Sequence, residues 1–556
     1  MKRASIFIIT LFAASRILAA TYYVDFVGGN NASAGTSTGA AWKHCPGDPN
    51  ATSTAASATL SAGDTVIFKG GVTYNVGSNS RIALSWDGSS GSPITYDGNS
   101  AGTWGTGKAI ISNNHGTGGS GAAAFGVGST TRVFLTFKNF SIYGIGGASS
   151  LPTDMGSAVA ANVGKGITFF SGTYNNITVQ DCDFAELGYY FNEKPMNAAS
   201  IDGFGLYFSG TLKSILVTNC IFKRTHTGVA FYYTGSVNTN LTVANCEFYD
   251  SFVWGVDIAP TASSAGIDYL TIRNSSFHDY WQHDEGTWTG YDEWPHTDGI
   301  FFRSDYSGIT YGTNNNIHGN AFYSTNGTGK GTADIYITEG PSVNIYNNTL
   351  AWSKKGRIVY LNNSFNPSNP QVVNIFNNSF VVTYNSAISI EGPGWNGLTA
   401  QVKNNAFYDT QTGSGNNFLI YISTTNSLLG VLFDYNIYKS FNTGSKYIYY
   451  NGGEHDVASI NASSKKWETN GISSDPLYVN LGSASAPLSA DLRLQSSSPA
   501  IDEGLDLSAY FTTDKAGNAR GATWDLGAYE YAVSGSAFTR SIRTGKQTSS
   551  GKVVWQ

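Results

Sequence analysis

Hydrophobic and polar positions recur along this chain in one short pattern. It ends on an apolar or aromatic anchor in VQDCDF (Phe184), TNCIF (Phe222), ANCEF (Phe248), RNSSF (Phe277), HGNAF (Phe322), YNNTL (Leu350), FNNSF (Phe380), KNNAF (Phe407) and DYNIY (Tyr438). FKNFSI, ending at Ile142, is a looser first copy. Successive anchors stand from 26 residues (Phe222 to Phe248) to 45 residues (Phe277 to Phe322) apart. A fixed motif at variable spacing predicts a constant turn of a coil joined by loops of differing length.

The residue two before each anchor reads Cys182, Cys220, Cys246, Ser275, Asn320, Asn348, Asn378, Asn405, Asn436. In a parallel coil, equivalent residues stack about 4.8 Å apart. Asparagines at that spacing can hydrogen-bond along the axis, and small thiols can pile up behind one corner. That spacing lies within the Cα range of a disulfide, but parallel side chains seldom turn toward each other, so stacked free thiols are expected. A second strand column follows each corner, including GITFFS from Gly166, GLYFSG from Gly205, GVAFYY from Gly228, GVDIAP from Gly255, GIFFRS from Gly299 and RIVYLN from Arg357. Its second and fourth positions are apolar and point inward, so the third and fifth point outward.

Composition sharpens the class. Sixty-five glycines, 14% aromatics and only three methionines describe a β-rich extracellular protein. The net charge of -6 argues against a nucleic-acid partner, which needs a concentrated basic surface. Met1 to Ala20 has Lys2 and Arg3, an apolar run from Ile6 to Ala14 and small residues at Ala19 and Ala20, the form of a secretory signal. The expected location is extracellular or periplasmic. No segment after Ala20 approaches the roughly 20 apolar residues of a membrane-spanning helix. Four cysteines, Cys45 included, are too few for a disulfide framework. The expected organisation is a signal over 1–20, a cap and first turns over 21–130, a central parallel helix over 131–452, a closing segment over 453–532 and a basic tail over 533–556.

These glycine-cornered, laddered turns resemble the right-handed parallel β-helix of secreted polysaccharide lyases, hydrolases and epimerases, the pectin lyase-like superfamily. The closing stretch AGNARGATWDLGAYEY resembles the final segment of bacterial proteins of this type. The resemblance implies an all-β, right-handed parallel β-helix of about ten or more turns, with a Cys/Asn ladder, long corner loops and a β-rich closing segment. It also implies a polysaccharide or oligosaccharide partner. HTDG at His296 to Gly299 is similar to the NTDG segment of polygalacturonase-type hydrolases, with Asp298 at the position of their catalytic aspartate. Where that family carries paired aspartates on the next turn, this chain has Ala333 and Asp334.

Two corners are long, Phe184 to Gly205 and Phe277 to Gly299. They should wall a trough floored by the outward positions Tyr207, Ala230, Tyr232, Asp257, Ala259, Phe301, Arg303, Tyr336 and Thr338. The alternation places Asp257 one turn and two residues from Arg303, on the order of 8 Å between Cα atoms, either as a surface ion pair or as a catalytic carboxylate held by a cation. Asp257 and Asp298 are the expected acid pair of an inverting hydrolase, for which carboxyl groups roughly 6.5 to 9.5 Å apart are suited. His296 and Arg303 complete the catalytic candidates, and Glu339 and Glu391 are reserve acids. Tyr207, His226, Tyr232, Trp288, Trp294, Tyr336 and Glu339 are the expected sugar-binding residues, while Trp281 or a neighbouring tryptophan supplies a core for its own loop.

The leading expectation is therefore a secreted, monomeric glycoside hydrolase. The first alternative is a lyase cleaving a uronic acid-containing glycan by β-elimination, or a carbon-5 epimerase. Arg303, Tyr232 and His296 would serve there, beside a basic corner at Lys354, Lys355 and Arg357. The second alternative is a non-catalytic glycan-binding adhesin. No cofactor is required; Ca2+ could bind among Asp279, Asp284, Glu285 and Asp292, where hard oxygens cluster.

Overall fold

The computed structural model describes residues 19–531, apart from 77–79, 113–122, 145–163, 188–202, 236–237, 252, 281–296, 304–309, 326–330, 339–341, 354–355, 363–370, 393–397, 412–417, 424–427, 429 and 441–445. It also pairs two short strands further on, Lys546–Gln547 and Val553–Val554. The signal-like stretch falls almost wholly outside the described residues. Among those described, no helix is long and apolar enough to cross a membrane.

One turn shows the plan. Trp254–Pro260 forms its first strand, Gly266–Arg273 its second and Ser276–His278 its third. Each pairs in parallel with Thr227–Tyr233, Asn238–Ala244 and Glu247–Tyr249 of the turn before. Each pairs again with Asp298–Phe302, Asn315–His318 and Ala321–Tyr323 of the turn after. Repetition stacks three parallel sheets around one core, and the third of them runs to 13 strands, from Thr73–Asn75 to Ile472–Ser473. The repeat predicts an all-β, right-handed parallel β-helix, and this is the observed fold. Parallel connections take the right hand in about 98% of cases.

Inside, the anchors form a continuous stack. Phe184, Phe222, Phe248, Phe277 and Phe322 follow one another with ring centroids 5.0, 4.7, 4.8 and 4.9 Å apart. Phe380, Phe407 and Tyr438 continue it at 4.8 and 5.0 Å. Gly166, Gly205, Gly228, Gly255 and Gly299, near the start of five successive first-sheet strands, fit against this stack. A Cβ on Gly255 would stand 2.6 Å from the Gly299 carbonyl oxygen and 2.9 Å from the Phe277 ring. In these five turns a residue without a side chain lets the corner close over the anchor; the later turns carry Asp334, Ile358 and Ala387 at the same register position.

The ladder beside the anchors is directional. Asn320 donates its backbone N–H (2.9 Å) and its Nδ2 (3.1 Å) to Asn348 Oδ1. Asn348 repeats this to Asn378, Asn378 to Asn405 and Asn405 to Asn436, at 2.9 to 3.0 Å throughout. Each Nδ2 also donates to a backbone carbonyl of the neighbouring turn, as Asn378 does to Ile345 O at 2.9 Å. All these asparagines are buried. Towards the N-terminus, Ser275 N donates to Asn320 Oδ1 and Cys246 N to Ser275 Oγ. Cys182, Cys220 and Cys246 then continue the column as buried free thiols, each with a backbone carbonyl 3.2 to 3.3 Å from its sulfur.

A second asparagine column lies one residue earlier. Asn347, Asn377 and Asn404 all have positive φ (54°, 48° and 59°), a conformation that asparagine tolerates better than most residues. Their amides face outward, and the closing segment docks on them. Asn347 Nδ2 donates to Thr513 O, Asn377 Nδ2 to Asp525 O and Asn404 Nδ2 to Leu505 O, at 2.7 to 2.8 Å. Arg520, buried between Trp524 and Phe511, returns a bond to Asn347 Oδ1 at 2.8 Å. The doublet Asn-Asn thus has two tasks, one amide for the ladder and one for the closing segment.

The ladder ends on a carboxyl group. Glu468 accepts from Asn436 Nδ2 at 2.8 Å, from Asn436 N at 3.3 Å and from the Tyr438 hydroxyl at 2.6 Å. Burial pushes it up to about 8 despite these donors.

Two outcomes are expected. Asn378→Ala removes five buried hydrogen bonds and should lower unfolding stability by about 3 kcal/mol or more, read as a fall in denaturation midpoint. Glu468 holds its proton more tightly folded than unfolded, so its contribution to stability is full below its ordinary carboxyl range and is lost as pH rises towards 8. The difference in melting temperature between Glu468→Gln and the parent protein should therefore shift in favour of the variant across that window. A pH-independent difference would contradict the assignment.

Candidate functional site

The outer face of the first sheet carries the concentration of aromatic and charged side chains that alternation predicts. Val256 and Ile258 enter the main core, so Asp257 between them faces outward. Its register partners are Ala230 on one side and Phe301 on the other. Tyr232 donates its hydroxyl to Asp257 Oδ2 at 2.6 Å. Arg303 reaches back from the next turn, with Nε 3.2 Å from Oδ1, Nη2 3.2 Å from Oδ2 and Nη2 3.1 Å from the Tyr232 hydroxyl. The sequence places these three side chains together, and the structure brings them into one hydrogen-bonded cluster.

Its surroundings differ from an open trough floor. Asp257 is 0% exposed, and Ala230, Ala259, Phe301 and Tyr336 are buried too. The reason is a second apolar cluster outside the sheet, made by Phe301, Ala333, Tyr336 and Tyr360 with Trp254 packed against it. Phe301, Tyr336 and Tyr360 stack at 5.0 and 4.6 Å, so each inner ring face is covered by its neighbour. What reaches the surface is Arg303 together with parts of Tyr232 and Trp254. The Arg303 side chain is 29% exposed, with its guanidinium 5.3 Å from the Tyr232 ring centre and 5.4 Å from that of Trp254. Burial opposes its charge, but Asp257 and Tyr232 outweigh this and raise its affinity for the proton. Tyr232 is held well above its ordinary value by burial and by the Asp257 charge, so it stays protonated.

Toward the N-terminus the face continues as Tyr207 and Phe204, whose rings meet at 4.8 Å, with Lys165 Nζ 5.2 Å from the Tyr207 ring centre. Phe170 stacks on Tyr207 at 6.2 Å and is 51% exposed, an aromatic platform that the sequence reading passes over. His226 is buried edge-on against Trp254 at 5.9 Å, with Nδ1 3.1 Å from Thr227 Oγ1. Toward the C-terminus Arg357 stacks on Tyr360, 4.4 Å from its ring centre, and pairs with Glu391 through Nε (2.8 Å) and Nη2 (3.2 Å). Glu391, one of the two reserve acids, and Arg357, one residue of the basic corner, thus form one ion pair.

Asp298 is placed apart from Asp257. It is in register with Trp254, three residues before Asp257, and lies one strand over, about 11 Å away between Cα atoms. It is fully buried and accepts the Ala333 N–H at 2.9 Å. His296, Trp281, Trp288, Trp294 and Glu339 lie outside the described residues, as do Lys354 and Lys355.

A separate charged group occupies the outer side of the third sheet. His278 stacks between Tyr249 (5.2 Å) and Tyr323 (4.6 Å) and bridges Asp279 (2.8 Å) and Glu247 (3.1 Å). Burial works against its charge, but these hydrogen bonds prevail and raise it to about 9. Of the calcium candidates, Asp284, Glu285 and Asp292 lie outside the described residues, and Asp279 is engaged by His278 and Thr325. No group of three or more metal-ligating side chains is assembled among the described residues.

No protein-family description matches the chain, and no curated protein matches it. Among solved structures it is similar to pectate lyase Pel9A (14% identity, TM-score 0.47, covering 92% of this chain and 96% of that one). It is also similar to the GH136 lacto-N-biosidase of Eubacterium ramulus (16%, TM-score 0.44, covering 73% and 67%). A rhamnogalacturonan lyase stands at 16% and TM-score 0.43, covering 73% and 88%. At this level the likeness is one of fold.

Proposed function

We propose that this chain is a secreted carbohydrate-active enzyme that cleaves a uronic acid-containing polysaccharide by β-elimination, at the outer face of the first sheet around Arg303. The observation that carries this reading is a partly exposed guanidinium fixed by a fully buried carboxylate and by two aromatic rings. Elimination requires the sugar carboxylate to be neutralised, so that the carbon-5 proton can be taken while the carbon-4 oxygen leaves and a carbon–carbon double bond forms. A positioned arginine supplies that neutralisation through its solvent-facing edge, since Nε and Nη2 are committed to Asp257 and Tyr232. Asp257 is a positioning residue here: it touches Arg303 and orients it. His226, against the same indole as Arg303, is the described imidazole best placed to take the proton.

Hydrolysis by Asp257 and Asp298 is the second reading. It needs two carboxyl groups flanking a glycosidic bond, and it is favoured less because the two are fully buried, stand about 11 Å apart between Cα atoms and are engaged by Arg303 with Tyr232 and by the Ala333 N–H.

Incubation with polygalacturonate, alginate and neutral glycans separates the readings. Reducing ends accompanied by ultraviolet absorbance of an unsaturated product are expected; reducing ends alone would establish hydrolysis, and binding without products a glycan-binding protein. Arg303→Gln should lower kcat/KM on a uronate polymer about 100-fold, the scale of losing one electrostatic stabiliser. The deficit should shrink on the methyl-esterified polymer, whose carboxyl groups carry no charge. An equal deficit on both substrates would contradict carboxylate binding by Arg303. His226→Ala should remove the acidic limb of the pH–rate profile, and an unchanged profile would exclude His226 as the base.

A further inference from the structure

We propose that Arg357, held by Glu391 against Tyr360, is a second anion-binding subsite, and that the ligand is an acidic glycan lying along the helix axis with carboxylates seated at both Arg303 and Arg357. This rests on the acidic-glycan reading above and extends it to the substrate's length and direction.

The carrying observation is a repeated arrangement. Arg303 is paired through Nε and Nη2 with a carboxylate, lies against aromatic rings and is 29% exposed. Arg357 is paired through Nε and Nη2 with a carboxylate, lies against an aromatic ring and is also 29% exposed. Both stand on the outer face of the same sheet. A carboxylate behind a guanidinium and a ring beneath it remove most of its freedom, leaving a planar donor whose orientation is set before a ligand arrives. Arg357 Nη1 takes no partner among the described residues.

Spacing gives the length. The Arg303 guanidinium meets Asp257 in the strand Trp254–Pro260, whereas Arg357 stacks on Tyr360 in the strand Arg357–Asn362. Asp298–Phe302 and Ala333–Ile337 lie between them, so the two cations are three strand spacings apart, about 14 Å. A pyranose with its linking oxygen is about as long as one strand spacing, so a chain laid along the axis must be roughly four sugars long to touch both. Beneath the path between them lies the buried Phe301, Tyr336 and Tyr360 stack. Asn362, partly exposed beside them, bridges the Tyr336 and Tyr360 hydroxyls through Nδ2 at 3.4 and 2.8 Å and is the polar side chain that sugar hydroxyls would meet there. Because Glu391 opposes a second anion, the contribution at Arg357 should be modest rather than decisive.

The test is the chain-length dependence of kcat/KM, or of Kd where no turnover occurs, with galacturonate and mannuronate oligomers from dimer to octamer. The parent protein should favour hexamer over trimer about tenfold, the scale of one charge-assisted contact. In Arg357→Leu that ratio should fall to near one. The double variant Arg357→Leu/Glu391→Gln, which leaves no unpaired carboxylate, should show the same loss with the melting temperature retained. A hexamer preference that survives in the double variant overturns the second subsite while leaving the Arg303 reading intact. A parent protein that neither binds nor cleaves any acidic oligomer overturns both.

Discussion

Everything in this molecule depends on each turn of chain lying in register over the last, and the buried asparagine ladder is the interaction most specific to that register. A side-chain amide at the ladder position has two donors and an acceptor to satisfy away from water, and its counterparts and backbone carbonyls one turn away provide the partners. Slipping one turn by a single residue would strand several buried polar groups at once, each at a cost of about 1–3 kcal/mol. The same register brings aromatic rings to one-strand spacing on both sides of the wall. Inside it produces the phenylalanine stack; outside it produces Phe301, Tyr336 and Tyr360. Core and candidate site are therefore two faces of one constraint.

The site uses burial in a particular way. An isolated carboxylate at Asp257 would be costly to desolvate, and Arg303 with Tyr232 supplies the charge and hydrogen bonds that make it tolerable. Breaking such a pair is expensive, so the guanidinium is held firmly even though its outer edge meets solvent. That is a different use of the acid from direct proton transfer: the buried partner gives the exposed one its geometry. Arg357 and Glu391 repeat this on the same face with less burial, since Glu391 keeps partial exposure.

Sequence and structure agree where a rule of periodicity applies. The anchor and ladder columns read directly because each turn repeats them, and alternation alone brings Asp257, Arg303 and Tyr232 to one place. The openness of that place does not follow from alternation: a side chain facing outward need not face water, and here ring stacking covers Phe301 and Tyr336 while Tyr232 and Arg303 lie on Asp257. The sequence shows Arg357 as part of a basic corner and Glu391 as a spare acid, but their pairing depends on how far an arginine folds over Tyr360. The closing segment's attachment had a visible signal in the doublets Asn347-Asn348, Asn377-Asn378 and Asn404-Asn405. Only their second members belong to the ladder, and the first required a partner from elsewhere. Glu468 carried no signal, because it ends the ladder instead of repeating it and lies in a segment without the motif.

The central claim is that Arg303, fixed by Asp257, receives the carboxylate of a sugar in a chain running along the helix axis. A structure of the protein with a bound acidic hexasaccharide tests this most directly. The account predicts a uronate carboxylate within hydrogen-bonding distance of the Arg303 guanidinium and successive sugars crossing successive strands toward Tyr336 and Tyr360. An oligosaccharide seated on another face, or on this face with no carboxylate at Arg303, would contradict it.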